Sequence, residues 1–284
     1  MYKIVRKEVL NSVTTLMEIE APRVAKAAKP GQFLIVRPTQ ESERIPLTIS
    51  DYNKDKGTVT IVTQIVGASS YDICSLEEGE CFCDLVGPLG VQSDFMELSA
   101  EELKNKRYLF IAGGLGAAPV YPQAKYLHNL GVKLDIILGA KTADLIILED
   151  ELKGVCDNLY ICTDDGSKGF AGLVTTKLEQ LVAEGQKYDQ AVTIGPMIMM
   201  KFVTMTAAKC NLPLVASLNT LMVDGTGMCG ACRVTVGGKT RFACVEGPEF
   251  DAHQIDFDEA MRRQSMYKTK ELEDYHKCKI GRGK

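Results

Sequence analysis

Apolar and polar residues alternate in short runs through the first hundred positions, at 16–21, 31–38 and 57–66, with Pro, Gly and charged residues between them. Alternation over such lengths predicts strands, and closely spaced strands divided by turn residues predict a barrel-like antiparallel unit over 2–96. The stretch 96–106 turns acidic and polar, which suits a connecting helix or linker. Beyond it the rhythm changes. A continuous apolar run at 107–114 predicts a buried strand, 118–129 a helix, 133–139 and 158–165 two further strands, and 191–196 another strand before a helix through Met205. Strands alternating with helices predict a parallel sheet of the nucleotide-binding kind. The run 233–244, broken by Gly237 and Gly238, predicts a hairpin.

Composition narrows this picture. A chain of 284 residues with 45% hydrophobic residues is long enough for two compact domains and a small third one. No apolar run reaches bilayer length, and the cluster near Ile198 is broken by Lys201, so membrane insertion is not expected. A net charge of −4 without a basic stripe gives no electrostatic case for nucleic acid. The ten cysteines follow an N-terminus with no apolar core segment or cleavage signal, which predicts a reducing, cytoplasmic setting.

Candidate chemistry is concentrated at 224–244. Asp224, Cys229, Cys232 and Cys244 align with a small iron–sulfur ligand set whose first cysteine has become aspartate. Gly225, Gly227 and Gly230 free the backbone to turn amides toward an anionic cofactor. Three thiols plus a carboxylate also suit tetrahedral zinc, and reduced cysteines in a tight loop are the bland alternative.

Gly114, Gly116, Ala117 and Pro119 follow an apolar strand and open a helix, where a pyrophosphate would meet helix N–H groups. Pro119 stands where an ordinary dinucleotide fingerprint has its third glycine, so this is a different turn; packing alone also favours glycine there. Asp164, Asp165 and Gly166, with Gly195 and Pro196, lie past the carboxyl ends of two more predicted strands, the edge where open α/β sheets bind ligands. In the first unit Arg44, Pro46, Leu47, Thr48 and Ser50 share one extended segment able to offer backbone bonds to a flavin ring and a charge to its pyrophosphate. Arg44 alone would read as a surface ion-pair partner. Thr63, Val66, Gly67, Ser69 and Ser70 add small residues and hydroxyls suited to phosphate, and 84–90 reads as a compact turn closing the unit.

With these motifs in order, residues 1–250 resemble the ferredoxin-reductase-like flavoproteins, most closely the subgroup holding dihydroorotate dehydrogenase electron-transfer subunits. The segment 44–50 is similar to that family's flavin-binding strand, 113–119 to its nicotinamide-nucleotide loop and 244–250 to the segment bearing its last cluster cysteine. The subgroup uses four cysteines. Asp224 in place of the first resembles instead the small subunits of electron-bifurcating NADH-dependent ferredoxin:NADP oxidoreductases. The resemblance implies FAD, NAD(H), one [2Fe–2S] cluster bound by Asp224, Cys229, Cys232 and Cys244, and a heterodimer with a larger flavin and iron–sulfur subunit that serves ferredoxin. It implies a β-barrel FAD domain (1–97), an α/β parallel-sheet NAD(H) domain (98–220) and a small C-terminal [2Fe–2S] segment with tail (221–284). An electron-transfer subunit for dihydroorotate dehydrogenase or a hydrogenase is the alternative within enzymes; a zinc-holding redox-sensing module is the alternative outside them. Lys141–Asp144 encodes nucleotide choice weakly, so NADH is favoured by resemblance. Cys74, Cys81, Cys83, Cys156, Cys162 and Cys210 are expected as small buried hydrophobes on or near strands, Cys278 as exposed in a basic tail, and the methionines of 197–205 as helix packing. His128, His253 and His276 are too dispersed to form a site.

Overall fold

A computed structural model of the chain describes residues 1–269 and 271. The alternating runs of the first unit become β1 (Tyr2–Asn11), β2 (Thr14–Glu20), β3 (Phe33–Arg37), β4 (Ile45–Thr48), β5 (Asp51–Asn53), β6 (Thr58–Gln64), β7 (Cys81–Phe82) and β8 (Asp84–Leu89). They form two antiparallel sheets, ordered β5-β6-β2-β1-β7 and β4-β3-β8, with α1 (Pro22–Ala27) and α2 (Ala68–Ser75) between strands. Ile4, Met17, Ile19, Leu34, Val36, Val59 and Ile61 meet in the barrel core. Their neighbours Leu16 and Val62 point the other way, into a core shared with the second unit. Both faces of β2 and β6 are therefore covered, which is why these runs are more apolar than strict alternation requires.

Two expectations are corrected. The segment 84–90 is the strand β8, not a turn. Pro88 is tolerated because β8 lies at the edge of its sheet, where a missing N–H breaks no ladder. Cys74 sits in the helix α2, buried as expected.

A capping box, Ser99 accepting from the Glu102 amide while Glu102 accepts from the Ser99 amide, starts α3 (Ala100–Lys104) between the units. The second unit carries β9 (Arg107–Gly113), β10 (Lys133–Ala140), β11 (Asn158–Thr163), β12 (Phe170–Ala171), β13 (Gln190–Ile194) and β14 (Leu214–Ser217). Its helices are α4 (Ala117–Asn129), α5 (Glu149–Lys153), α6 (Val174–Ala183) and α7 (Met197–Lys209). The last part of the chain adds the hairpin β15 (Arg233–Val236) and β16 (Lys239–Phe242), α8 (Ala243–Glu246), β17 (Glu249–Asp251) and α9 (Phe257–Gln264). The main sheet runs β12-β11-β10-β9-β13-β14-β17, parallel except for β17 against β14.

Helices cover both faces. Phe110, Ile136 and Leu138 pack on Val120, Ala124 and Leu127 of α4. Leu109, Ile111 and Ile137 pack with Leu178 of α6, Val203 of α7 and Phe257 of α9. The cysteine-bearing segment is thus no appendage: it contributes a strand to the sheet and a helix to its core. Among the described residues no helix is long and apolar enough to cross a membrane. Cys278, His276 and most of the basic tail lie outside the described residues.

Candidate functional site

In the main sheet β9 comes first in the chain, with β10 on one side and β13 on the other. Winding reverses there, and the reversal opens a crevice at the carboxyl ends of β9 and β13. The glycines line it with different jobs. A Cβ on Gly116 would stand 2.1 Å from the Ile194 carbonyl oxygen, and one on Gly113 2.3 Å from the Met199 sulfur. These two let the β9–α4 turn seat against Gly195 and Pro196. Gly114 differs: its φ is +54° and a Cβ there would face open space. It is the position left for a ligand to approach backbone amides. Asp164, Asp165 and Gly166 form an exposed turn beyond β11 on the same edge. Ser167 donates through its amide and hydroxyl to Asp165, and these bonds hold that carboxyl below its usual range.

Helix α4 contains Pro122, which has no N–H to give the Ala118 carbonyl four residues back. The buried hydroxyl of Ser50 donates to that carbonyl instead, at 3.1 Å. Ser50, expected to touch cofactor, is therefore committed to closing a helix bond across the two units. Lys125 of α4 pairs with Asp51 at 2.8 Å just beyond it.

The flavin-type segment forms β4, at the edge of its sheet with β3 as its ladder partner. The outer edge of Pro46, Leu47 and Thr48 is left with unpaired backbone groups. Arg44 at its head pairs with Asp84 at 3.0 Å through one guanidinium nitrogen. Glu43 accepts from the hydroxyl of Ser69, which brings the head of β4 to the first turn of α2. Gly67 caps that helix, while Ser70 takes the amides of Val66 and Gly67 at 2.8 and 2.9 Å and so shapes the turn. Val66 is 77% exposed beside it. Thr63, at the end of β6, has a buried hydroxyl oxygen with no partner among the described residues. The free edge of β4, the first turn of α2 and the Arg44 cation meet at the head of β4, a set of donors that fits FAD, whereas Thr63 follows Val59 and Ile61 on the barrel-core face. The end of β6 also packs against the Gly114–Gly116 turn, which brings the two glycine-bearing turns and β4 to the same part of the molecule.

The cysteine loop lies on the barrel. Gly225, Gly227 and Gly230 all have positive φ, at 81°, 89° and 66°. A Cβ on Gly225 would fall 2.3 Å from the Ile35 terminal methyl. Cys232 and Cys244 are buried with Phe33 and Ile35 of β3. Their sulfurs lie 3.2 Å apart. Two thiolates on one tetrahedral metal stand about 3.8 Å apart, so a small outward shift would let this pair share an iron. Burial, and Cys232 beside it, push the Cys244 thiol up. Cys229 is exposed, and the amides of Ala231 and Asp224 lower its pKa.

Among the described residues no three His, Cys, Asp or Glu side chains are drawn around a single metal-sized point. The Asp224 carboxylate is turned to Thr226, whose amide at 2.9 Å and hydroxyl both bond Oδ2 and lower its pKa. The Met228 amide bonds the same carboxylate. The spacing, four residues between Asp224 and Cys229 and two between Cys229 and Cys232, is the plant-type ferredoxin pattern. A buried thiol pair, a second pair at the loop surface and inward-turning amides fit a two-iron cluster, which divides its ligands between irons, better than one zinc ion.

Reading from sequence missed several residues here. Thr226 was within reach, because a hydroxyl two positions after Asp is a common turn device. Ile35 and Leu89, which floor the loop, and Ser93, Gln123 and Glu249, which join the units, gave no local signal. Of the six other cysteines among the described residues, Cys74 and Cys162 are buried, whereas Cys81, Cys83, Cys156 and Cys210 are partly exposed. Met197 and Met200 pack in the core, but Met205 faces outward.

Comparison with known proteins supplies the family. Residues 219–256 match the iron-sulfur cluster binding domain of dihydroorotate dehydrogenase B. The chain is 56% identical to a protein of the adh 3′ region of Clostridium beijerinckii, over 95% of this chain and 92% of that one. It is 43% identical to the Thermotoga maritima homolog of the dihydroorotate dehydrogenase B (NAD(+)) electron transfer subunit, over 91% of this chain and 89% of that one. A solved chain from the NADH-dependent reduced ferredoxin-NADP oxidoreductase, studied for flavin-based electron bifurcation, superposes with a TM-score of 0.89 at 40% identity, covering 98% of this chain and 97% of that chain. The chain therefore belongs to the ferredoxin-reductase-like flavoproteins, in the family of dihydroorotate dehydrogenase B electron-transfer subunits and their homologues.

Proposed function

We propose that this chain is the small subunit of a heterodimeric NADH-dependent ferredoxin:NADP oxidoreductase, exchanging hydride between NAD(H) and FAD and passing single electrons through a [2Fe–2S] cluster. A larger flavin and iron–sulfur subunit completes the enzyme and serves ferredoxin and NADP(H). When bound, FAD takes up an electron pair and gives up single electrons, and the cluster carries one at a time. The chain's own residues set geometry. Gly114 leaves backbone amides open to a pyrophosphate at the start of α4. The outer edge of β4 offers backbone bonds to a flavin ring, and Arg44 with the first turn of α2 offers charge and amides to its phosphates. Asp224 with Cys229, and Cys232 with Cys244, would hold the two irons. Asp164 and Asp165 place negative charge on the edge where a nucleotide ribose would lie, an arrangement that disfavours a 2′-phosphate and so favours NADH over NADPH.

One observation carries the proposal: all three sites abut the same barrel. The Gly114–Gly116 turn packs on β6, and the cysteine loop packs on β3, the ladder partner of the flavin-type strand β4. That contiguity is what a path from nicotinamide through flavin to cluster requires. Affinity purification from the native host with cofactor analysis tests it, and the expected companion is a larger flavin and iron–sulfur protein. The Thermotoga maritima relative favours a second reading, in which the partner is a dihydroorotate dehydrogenase; recovery of that enzyme would select it.

A further inference from the structure

Glu249 occupies an unusual place. It lies on β17, five residues beyond Cys244, and reaches into the junction of the three parts of the molecule. Gln123 of α4 donates to its Oε1 at 2.8 Å, and Ser93, on the loop leaving the barrel, donates to the same oxygen at 3.2 Å. Gly31 closes the barrel side: its φ is +86°, and a Cβ there would stand 3.2 Å from that oxygen. Among the described residues no cation pairs with this carboxylate. The cavity beside it, about 210 Å³, is lined by Asp94 and Glu97 from the barrel side and by Glu246 and Asp251 from its own segment, with no Lys or Arg among its described lining residues. Asp94 is held by Gln190, Glu246 by Arg241, and Asp251 by Gln254. Helix α4 contributes the neutral Gln123.

Gln123 supplies the second clue. The residue is fully buried, and while its amide nitrogen bonds Glu249, its carbonyl oxygen has no partner among the described residues. A buried acceptor left unmatched is costly. A neutral carboxylic acid and a primary amide can exchange two hydrogen bonds, N–H to carbonyl and O–H to carbonyl. One of the two is present; a proton on Glu249 Oε2 would give the idle oxygen of Gln123 its donor.

We propose that Glu249 is a positioning residue held as a neutral acid below neutral pH, its acid–amide pair with Gln123 forming a proton-dependent latch of the cluster segment onto the barrel and α4. Burial, opposed by the bonds from Ser93 and Gln123 and aided by Asp94, pushes its carboxyl up to about 7. Loss of the proton removes one bond of the pair and leaves an anion among four carboxylates. The latch then loosens where the cysteine segment meets the barrel. That this contact is the flavin-to-cluster junction rests on the function proposed above; the latch itself does not.

The test uses the full-length holoprotein. Infrared difference spectra between about pH 5.5 and about pH 8.5 should show the carbonyl stretch of a protonated, partly buried carboxylic acid fading with a midpoint near neutrality, and Glu249→Gln should lack it. Amide hydrogen exchange over 245–256, corrected for intrinsic rates, should quicken several-fold across that range in the wild type and stay flat in Glu249→Gln, whose amide keeps both bonds to Gln123. Ser93→Ala removes a donor that favours the anion, so the midpoint of the band should move to higher pH. A band that is missing in the wild type, that persists in Glu249→Gln, or that ignores Ser93→Ala would overturn the latch. None of these readouts needs electron transfer, so a failed functional assignment would leave them interpretable.

Discussion

Asp224 is the residue on which the finer assignment turns. Its carboxylate holds Thr226 through Oδ2, in a loop whose Cys232 and Cys244 are already gathered on the barrel. Asp224→Cys should retain the cluster while moving its midpoint potential, because a thiolate replaces a harder oxygen donor; a redox titration with an unchanged potential would remove the tuning role. Gly225 tests the floor of the same loop. Its φ is +81°, and an added Cβ would meet the Ile35 terminal methyl at 2.3 Å. Gly225→Ala should therefore cost about 2 kcal/mol, part conformational and part steric. Adding Ile35→Val removes the clashing methyl and should recover the steric share alone in denaturant unfolding.

At the scale of elements, α4 shows how a helix defect becomes an interdomain bond. Pro122 leaves the Ala118 carbonyl without its helical donor, and Ser50 supplies one from the barrel. Ser50→Ala should cost about 1–3 kcal/mol by orphaning a buried carbonyl. In the Ser50→Ala/Pro122→Ala double variant the new N–H at 122 can close the helix bond, so thermal unfolding should recover much of the loss. The same element shows what sequence makes legible. The apolar run of β9, the glycine turn and the period of α4 were all readable, because each is a local pattern. The assignment of Ser50 was not, since its partner lies 68 positions away. Glu249 meets Gln123 and Ser93 across 126 and 156 positions, and no short window contains such a junction. The strand β8 was hidden by Pro88, a turn residue that an edge strand tolerates. Strands β14 and β17 are short, with four and three residues, too brief for periodicity to register.

At the scale of the whole molecule, barrel, nucleotide sheet and cysteine segment are interlocked through Ser50 with Ala118, Lys125 with Asp51, and Glu249 with Ser93 and Gln123. This sets a pH signature. The Glu249 carboxyl is raised from 4.5 to about 7 in the fold. The folded state therefore binds a proton that the unfolded state lacks between those values, and the contribution is fully present below the lower one. Stability should fall as pH rises through the window, by at most about 1.4 kcal/mol per unit from this group, and level off above it. Glu249→Gln should flatten that slope in unfolding curves taken across the window. The central claim is that flavin, nicotinamide and cluster sites share one barrel surface and exchange electrons across it. Its most direct test is anaerobic addition of NADH to the purified protein, followed by absorbance and electron paramagnetic resonance with cofactor analysis. One FAD and one two-iron, two-sulfide cluster per chain, bleaching of the flavin by NADH and the signal of a reduced [2Fe–2S] centre are expected. A colourless protein containing zinc, or a flavin and cluster that NADH leaves oxidised, would contradict the claim.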